Sequence, residues 1–202
     1  MKRTKEETEV TRQALLKAAL NVFSHQGYSD TRLEDIAEEA GVTRGAIYHH
    51  FGSKSNLYNV LVTEASQQLS RVIMQALAEG TVLERLGRMF VDSLVFAAED
   101  EHQRAISELV ILKTALSPEI ESGYELKRAG NHAVVAMLAD LVRQGQAMGE
   151  IRQDLDARTA VIGLLGLQNG LLMMWLLDPT LFSIKDRAAE LAEIYLRGLQ
   201  TL

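Results

Sequence analysis

The 202-residue chain has no cysteine, two prolines, one tryptophan and only 5% aromatic residues. Without cysteine it can form no disulfide framework, thiolate zinc site or cysteine nucleophile, and a reducing compartment is permitted. So few prolines, in a sequence rich in Ala, Leu, Glu and Gln, leave little to interrupt helices, and the expected fold class is all-α. An export signal is missing too. Met1-Lys2-Arg3-Thr4-Lys5 is basic but turns acidic with no apolar run behind it, which predicts a cytoplasmic protein. One apolar stretch, Ala160 to Leu177, approaches the length of a membrane span, yet Gln168 and Asn169 lie at its midpoint. It reads as a buried helix, with no membrane partner.

Hydrophobic residues make up 47% of the chain and charged residues 24%, the balance of a globular protein with a sizeable core. The net charge of −6 argues against indiscriminate binding to nucleic acid, which depends on neutralising phosphates. That average hides a local difference. Residues 1–60 hold eight Lys/Arg and eight Asp/Glu, so the remaining 13 basic and 19 acidic residues put all the excess acid downstream. From Gly41 to Tyr58 there are Arg44, Lys54 and two histidines but no acidic residue, and an anion could approach there.

Apolar residues at three- and four-residue spacing predict nine helices and no strand. The first covers about Thr11 to Gln26, with Gly27 at its C-cap. A capping box Thr31-x-x-Glu34 opens the second, which Gly41 stops, and Thr43 caps a third with Ala46, Ile47 and Phe51 turned inward. Ser53 caps a long fourth helix reaching Gly80, and the box Thr81-x-x-Glu84 starts a fifth to about Ala98. The turn Glu99-Asp100-Glu101 precedes a sixth through about Ala115. Ser117-Pro118 sets the start of a seventh running to Met148, with Gly123 and Gly130 as places to bend. Asp154 or Asp156 caps the eighth, Asp178-Pro179 stops it, and Ser183 caps a ninth to Leu199.

A helix-turn-helix buries one face of two short helices and leaves the other face of the second free for the major groove. Residues 31–51 meet that requirement. The outward set is Thr43, Arg44, Gly45, Tyr48, His49 and His50. Arg44 offers a cation and a fork suited to guanine, Gly45 permits close approach, and Tyr48 and His49 can donate to phosphates. Lys54 stands in the first turn of a helix, against the dipole, where a phosphate would resolve the conflict. Neighbouring histidines on a helix point about 100° apart, and His25, His102 and His132 lack ligand spacing, so no metal site and no cofactor is expected.

The run Leu33-x-x-Ile36-Ala37-x-x-Ala40-Gly41-Val42-Thr43-Arg44-Gly45-Ala46-Ile47-Tyr48-His49-His50-Phe51-x-x-Lys54-x-x-Leu57, after Thr11-Arg12, Phe23 and Gly27-Tyr28, resembles the TetR family of bacterial transcriptional regulators. The likeness is dense over residues 9–69 and is closest to the AcrR- and TtgR-like branch that represses multidrug efflux pumps. His49 departs from that branch, which often carries Trp there. The resemblance implies that Thr43, Arg44 and Gly45 approach bases or adjacent phosphates. It also implies that Tyr48, His49, His50, Lys54, Thr31 and Arg32 hold the DNA backbone. A DNA-binding domain over residues 1–52 would precede an effector-binding and dimerisation domain over residues 53–202.

About 140 further residues of apolar helix need a partner of their own. Met89, Phe90, Ser93, Phe96, Glu108, Ile111, Leu112, Met137, Leu138, Gln168, Asn169, Leu172, Met173 and Trp175 form a candidate effector site with soft walls and a few polar groups. Most of them would serve equally as core. Two amides inside the most apolar helix, Gln168 and Asn169, require partners, in a pocket or across a dimer. Gly163, Gly166 and Gly170 fall near one side of the eighth helix, where another helix can pack closely. With Leu191, Ile194, Tyr195 and Leu199 of the ninth they are the candidate homodimer interface, unless the glycines serve packing within the chain.

No nucleophile with a base, carboxylate pair or metal set has credible spacing, so an enzyme is not expected. The expected function is a dimeric repressor that binds a palindromic double-stranded DNA operator, is released by a small hydrophobic effector, and controls an efflux or detoxification gene. A DNA-binding activator or architectural protein without a ligand is the alternative.

Overall fold

In a computed structural model the chain is described over residues 5–114 and 120–201. Nine helices make up these residues: α1 (Lys5–Asp30), α2 (Leu33–Glu39), α3 (Arg44–Phe51), α4 (Lys54–Ala76), α5 (Val82–Glu99), α6 (Glu101–Leu112), α7 (Glu121–Ala147), α8 (Ala157–Leu177) and α9 (Ile184–Arg197). The only extended pairing among them is a single antiparallel bridge between Ile151 and Gln200.

Most boundaries follow the local chemistry. Ser53 Oγ accepts from Asn56 N at 3.0 Å at the start of α4. At α5 the capping box closes from both sides, Glu84 N to Thr81 Oγ1 at 3.3 Å and Thr81 N to Glu84 Oε2 at 2.9 Å. Asp156, not Asp154, caps α8 by accepting from Thr159 N at 2.7 Å, whereas Asp154 pairs with Arg152. Ser183 Oγ accepts from Asp186 N at 3.2 Å at α9.

Other boundaries depart from the expectation. α1 begins at Lys5, more than a turn before Thr11, and Gly27, at φ 78°, is the non-helical kink expected there, with a further short stretch of helix after it to Asp30. The box expected at Thr31 and Glu34 does not form, and only a reciprocal half-box is made one residue further on. Arg32 is the N-cap of α2, and its N–H donates to Asp35 Oδ2 at 3.2 Å. Thr31 has turned inward, with its hydroxyl donating to the Gly27 carbonyl at 2.7 Å. α7 starts at Glu121 and runs through Gly123 and Gly130 unbroken, while the expected cap at Ser117-Pro118 lies outside the described residues.

The chain divides into two compact units, residues 1–66 with 102–123 and residues 67–101 with 124–202. In the first, α1, α2 and α3 bury Leu15, Ala19, Phe23, Ile36, Ile47 and Phe51. Tyr28 stacks on Phe23 at 5.8 Å, and Tyr58 of α4 meets both rings edge-on at 5.8 and 5.0 Å. Each buried ring contributes about 1.5–3 kcal/mol by leaving water, and each pair about 0.5–1.5 kcal/mol more. The Tyr58 hydroxyl donates to Thr114 Oγ1 at 3.1 Å, which ties the residues after α6 to this cluster.

In the second unit α5 packs against α8 and α9. Leu86, Met89, Phe90 and Leu94 of α5 meet Leu138 and Val142 of α7, Val161 and Leu164 of α8, and Ala188 and Leu196 of α9. One side of α8 is therefore core. Its other side, with Ile162, Gly166, Asn169, Met173 and Leu177, is exposed within the single chain.

Gly163 lies beside α9, where a Cβ would collide with the Tyr195 hydroxyl. That hydroxyl donates to the Ala160 carbonyl at 2.7 Å. Gly163→Ala must displace it, at a cost of about 1–2 kcal/mol measured as a lower urea midpoint, and adding Tyr195→Phe should restore part of the loss.

The bonds from Thr159 hold the Asp156 carboxyl below the usual carboxylate range. A depressed folded value makes this contribution complete above the ordinary pKa and removes it as pH falls through the folded one. Asparagine caps without titrating, so Asp156→Asn should flatten the acid limb of stability in urea unfolding between about pH 7 and pH 3.

Candidate nucleic-acid interface

The turn between α2 and α3 is built by Gly41. Its φ of 66° lets the Gly41 N–H reach the Glu38 carbonyl at 3.0 Å and the Val42 N–H reach that of Ala37 at 2.9 Å. These two bonds are the Schellman arrangement, and a side chain at Gly41 would strain it. The turn hands the chain to α3 at Thr43, which is in extended conformation. Ile47 and Phe51 then anchor α3 from behind. Its C-terminus is closed by Asn56, whose Nδ2 donates to the Phe51 carbonyl at 2.7 Å.

The face left outside carries Thr43, Arg44, Gly45, Tyr48 and His49, all exposed, with His50 half-buried at its edge. These residues were expected together and are found together. A Cβ on Gly45 would meet only the Thr43 hydroxyl, at 3.7 Å, so the surface there is open. The His49 and His50 rings lie 5.3 Å apart at 76°, side by side rather than converging.

Arg44 is already engaged. Its Nη1 forms an ion pair with Glu34 of α2, its Nη2 donates to the Tyr48 hydroxyl at 2.6 Å, and its guanidinium lies 5.2 Å from the Tyr48 ring centre. The Tyr48 bond and the Glu34 charge raise the guanidinium pKa further. Glu34 lies outside the acid-free stretch from Gly41 to Tyr58, so local spacing does not reveal this pairing.

Two residues expected at the DNA backbone are engaged within the protein. Thr31 is 2% exposed and its hydroxyl is spent on Gly27, so it presents no donor to a phosphate. Arg32 beside it is exposed, as expected. Lys54, assigned to a phosphate because its own helix gives it no partner, has partners elsewhere. Its Nζ donates to the carbonyls of Tyr28 at 3.0 Å, Ser29 at 3.3 Å and Thr31 at 3.1 Å, and sits 4.5 Å from the Tyr28 ring centre. These carbonyls lie at and just beyond the end of α1 at Asp30. An ammonium answers them as a cation answers a helix C-terminus, which offsets its unfavourable place in α4.

A second brace escaped sequence reasoning. Arg12 donates to Glu64 of α4 at 2.5 Å and to Glu9 at 3.4 Å, and lies over the Phe51 ring at 5.8 Å. It joins α1, α3 and α4. Only the pairing of an arginine with a carboxylate 52 residues away could have revealed it.

The candidate effector residues are dispersed. Met89, Phe90 and Leu138 are core, and Ser93 is buried among them. Gln168 has found its partner there, donating to the Ser93 hydroxyl, which in turn donates to the Met89 carbonyl at 2.5 Å. Phe96, Leu172 and Trp175 are half-buried in the same unit, while Met137, Asn169 and Met173 are exposed. Glu108, Ile111 and Leu112 lie on α6, in the first unit.

The candidate dimer residues divide as well. Gly163, Tyr195 and Leu199 serve packing within the chain, the first two through the contact described above and Leu199 by burial. Leu191 is half-buried. Gly166 and Gly170 face open space, and Ile194 is 67% exposed.

The whole chain has counterparts among known proteins. A family model described as bacterial regulatory proteins, tetR family, matches residues 15–61, and one described as the C-terminal region of MAATS-type transcriptional repressors matches residues 81–201. The HTH-type transcriptional regulator AcrR of Shigella flexneri is 31% identical over 213 residues, covering 96% of this chain and 94% of AcrR. TtgR of Pseudomonas putida is 31% identical over 188 residues, covering 89% of this chain and 86% of TtgR. In three dimensions it is similar to NalD, the secondary repressor of the MexAB-OprM multidrug efflux pump in Pseudomonas aeruginosa. That match has a TM-score of 0.81 and 32% identity and covers 97% and 98% of the two chains. A short helix pair with an exposed polar face, carried on an all-helical chain matched nearly end to end, places this protein in the TetR family of DNA-binding transcriptional regulators, not among enzymes.

Proposed function

We propose that this chain is a cytoplasmic, homodimeric repressor of an efflux or detoxification gene, released from a palindromic operator by a small hydrophobic effector. The observation that carries the DNA-binding assignment is the outer face of α3. Four exposed residues, one a guanidinium, stand with the exposed cap Thr43 on a helix fixed from behind by Ile47 and Phe51. Such a face enters the major groove, with Arg44 directed at a base edge and Thr43, Tyr48 and His49 at bases or phosphates nearby. Lys54 acts behind this face, as the brace that holds the end of α1 against the start of α4. We keep residues 1–52 as the DNA-binding domain and residues 53–202 as the regulatory one.

Two half-sites require two heads, and the exposed side of α8 supports a twofold interface. Ile162, Gly166, Gly170 and Met173, with Ile194 of α9, form apolar and open surface on which a second α8 can lie. The effector site is assigned to the second unit around Phe96, Leu172 and Trp175, with the Ser93 and Gln168 pair as its polar element. The names of the relatives support efflux control. To release DNA, the effector must bind the DNA-incompetent form more tightly than the competent one.

Selection from random duplexes followed by a gel shift at stated salt tests the proposal. A discrete, competitor-resistant complex at nanomolar protein is expected, and apolar cations, phenols or fatty acyl compounds should dissolve it. Failure of every such compound would leave a ligand-free regulator. Ile194→Arg should turn the dimer into a monomer in light scattering and abolish operator binding.

The two cations should differ. Arg44→Ala should weaken the selected operator about ten- to a hundredfold with little effect on random duplex. Lys54→Ala should first lower stability, by about 1–3 kcal/mol in urea unfolding, because three carbonyls lose their donor. Weaker binding to every DNA would follow from the loosened head.

A further inference from the structure

Arg44 is the one permanently charged cation on α3, and it is not free in the uncomplexed protein. Glu34 pairs with Nη1 from α2, and the Tyr48 hydroxyl, one turn along α3, takes a bond from Nη2 at 2.6 Å while its ring lies under the guanidinium. A guanidinium has five N–H donors. Two are used here, which leaves three, enough for a two-point contact with a guanine edge.

This arrangement has two physical consequences. The carboxylate neutralises the charge on the reading face, so that a random phosphate gains little by approaching it. Sequence-independent affinity depends on just such phosphate neutralisation. The carboxylate and the tyrosine also fix the plane of the fork before DNA arrives, which lowers the ordering cost of a base contact. The first effect weakens binding to any DNA and the second favours binding to the right DNA. Both raise the ratio between them.

We infer that Glu34 is a specificity-determining residue, which holds Arg44 for base reading and suppresses its attraction to random phosphates. The inference rests on the proposal that Arg44 reads a base. Glu34 itself touches no DNA in this account and acts by positioning.

The test uses full-length protein with Glu34→Gln, Arg44→Ala and the double change, titrated against a random-sequence duplex and the selected operator over a range of salt. Glutamine keeps an acceptor for Arg44 and removes the charge, and Glu34 is exposed, so the fold should be retained. Glu34→Gln should strengthen binding to the random duplex about threefold or more and steepen its salt slope by about one. The operator should gain nothing, so the specificity ratio falls. In the Arg44→Ala background the same change should have little effect.

The inference is overturned if Glu34→Gln leaves random binding and slope unchanged, or strengthens both DNAs equally. It is also overturned if the gain persists without Arg44, since Glu34 would then act by direct repulsion. A different result bears on the underlying proposal. If Arg44→Ala alone weakens both DNAs equally, Arg44 is a phosphate contact and base reading fails.

Discussion

The contact on which the head depends is that of one ammonium with three carbonyl oxygens. α1 ends at Asp30 and the chain turns before α2, which brings the carbonyls of Tyr28, Ser29 and Thr31 together beside the start of α4. Lys54 supplies all three from the first turn of α4. Alone, that position sets a cation against the helix dipole. Together, the end of one helix and the start of another share a charge. α2 and α3 are the chain between those two points, so the brace fixes where the short pair begins and ends. Phe23, Tyr28 and Tyr58 fill the space behind it, and Arg12 ties α1 to α4 from another side.

The same head shows why a protein with net charge −6 can be a DNA-binding regulator. The face proposed to read DNA carries a paired charge, because Glu34 answers Arg44. Weak attraction to arbitrary DNA is the condition for a useful specificity ratio in a genome crowded with wrong sites. In the second unit, α8 has two roles along one helix. Ala160, Val161 and Leu164 close the core against α5 and α9, and the opposite side is exposed, the surface on which the proposed dimer would form.

Much of this could be read from the sequence, for a physical reason. Helices announce themselves through local spacing and caps, so Ser53, Thr81 with Glu84, Asp156 and Ser183 mark their starts, and the outward set of α3 follows from its inward set. What could not be read depends on distant partners. Thr31 looks like an N-cap until the carbonyl of Gly27 takes its hydroxyl. Lys54 looks stranded until three carbonyls more than twenty residues earlier arrive beside it. Gly163 looked like a dimer contact, but its missing Cβ makes room for Tyr195. Gln168 required a partner and has one in Ser93, 75 residues away. The effector residues resisted most, since a wall and a core share the same apolar composition.

The central claim is a division of labour in the head, with Arg44 reading DNA and Lys54 holding the protein. A crystal structure of the dimer on a selected operator tests it most directly. The account predicts the Arg44 guanidinium about 3 Å from a base edge in the major groove, with Lys54 still bonded to the carbonyls of Tyr28, Ser29 and Thr31. It would be contradicted by Lys54 turned outward onto a phosphate, those carbonyls unpaired and Arg44 resting on the DNA backbone.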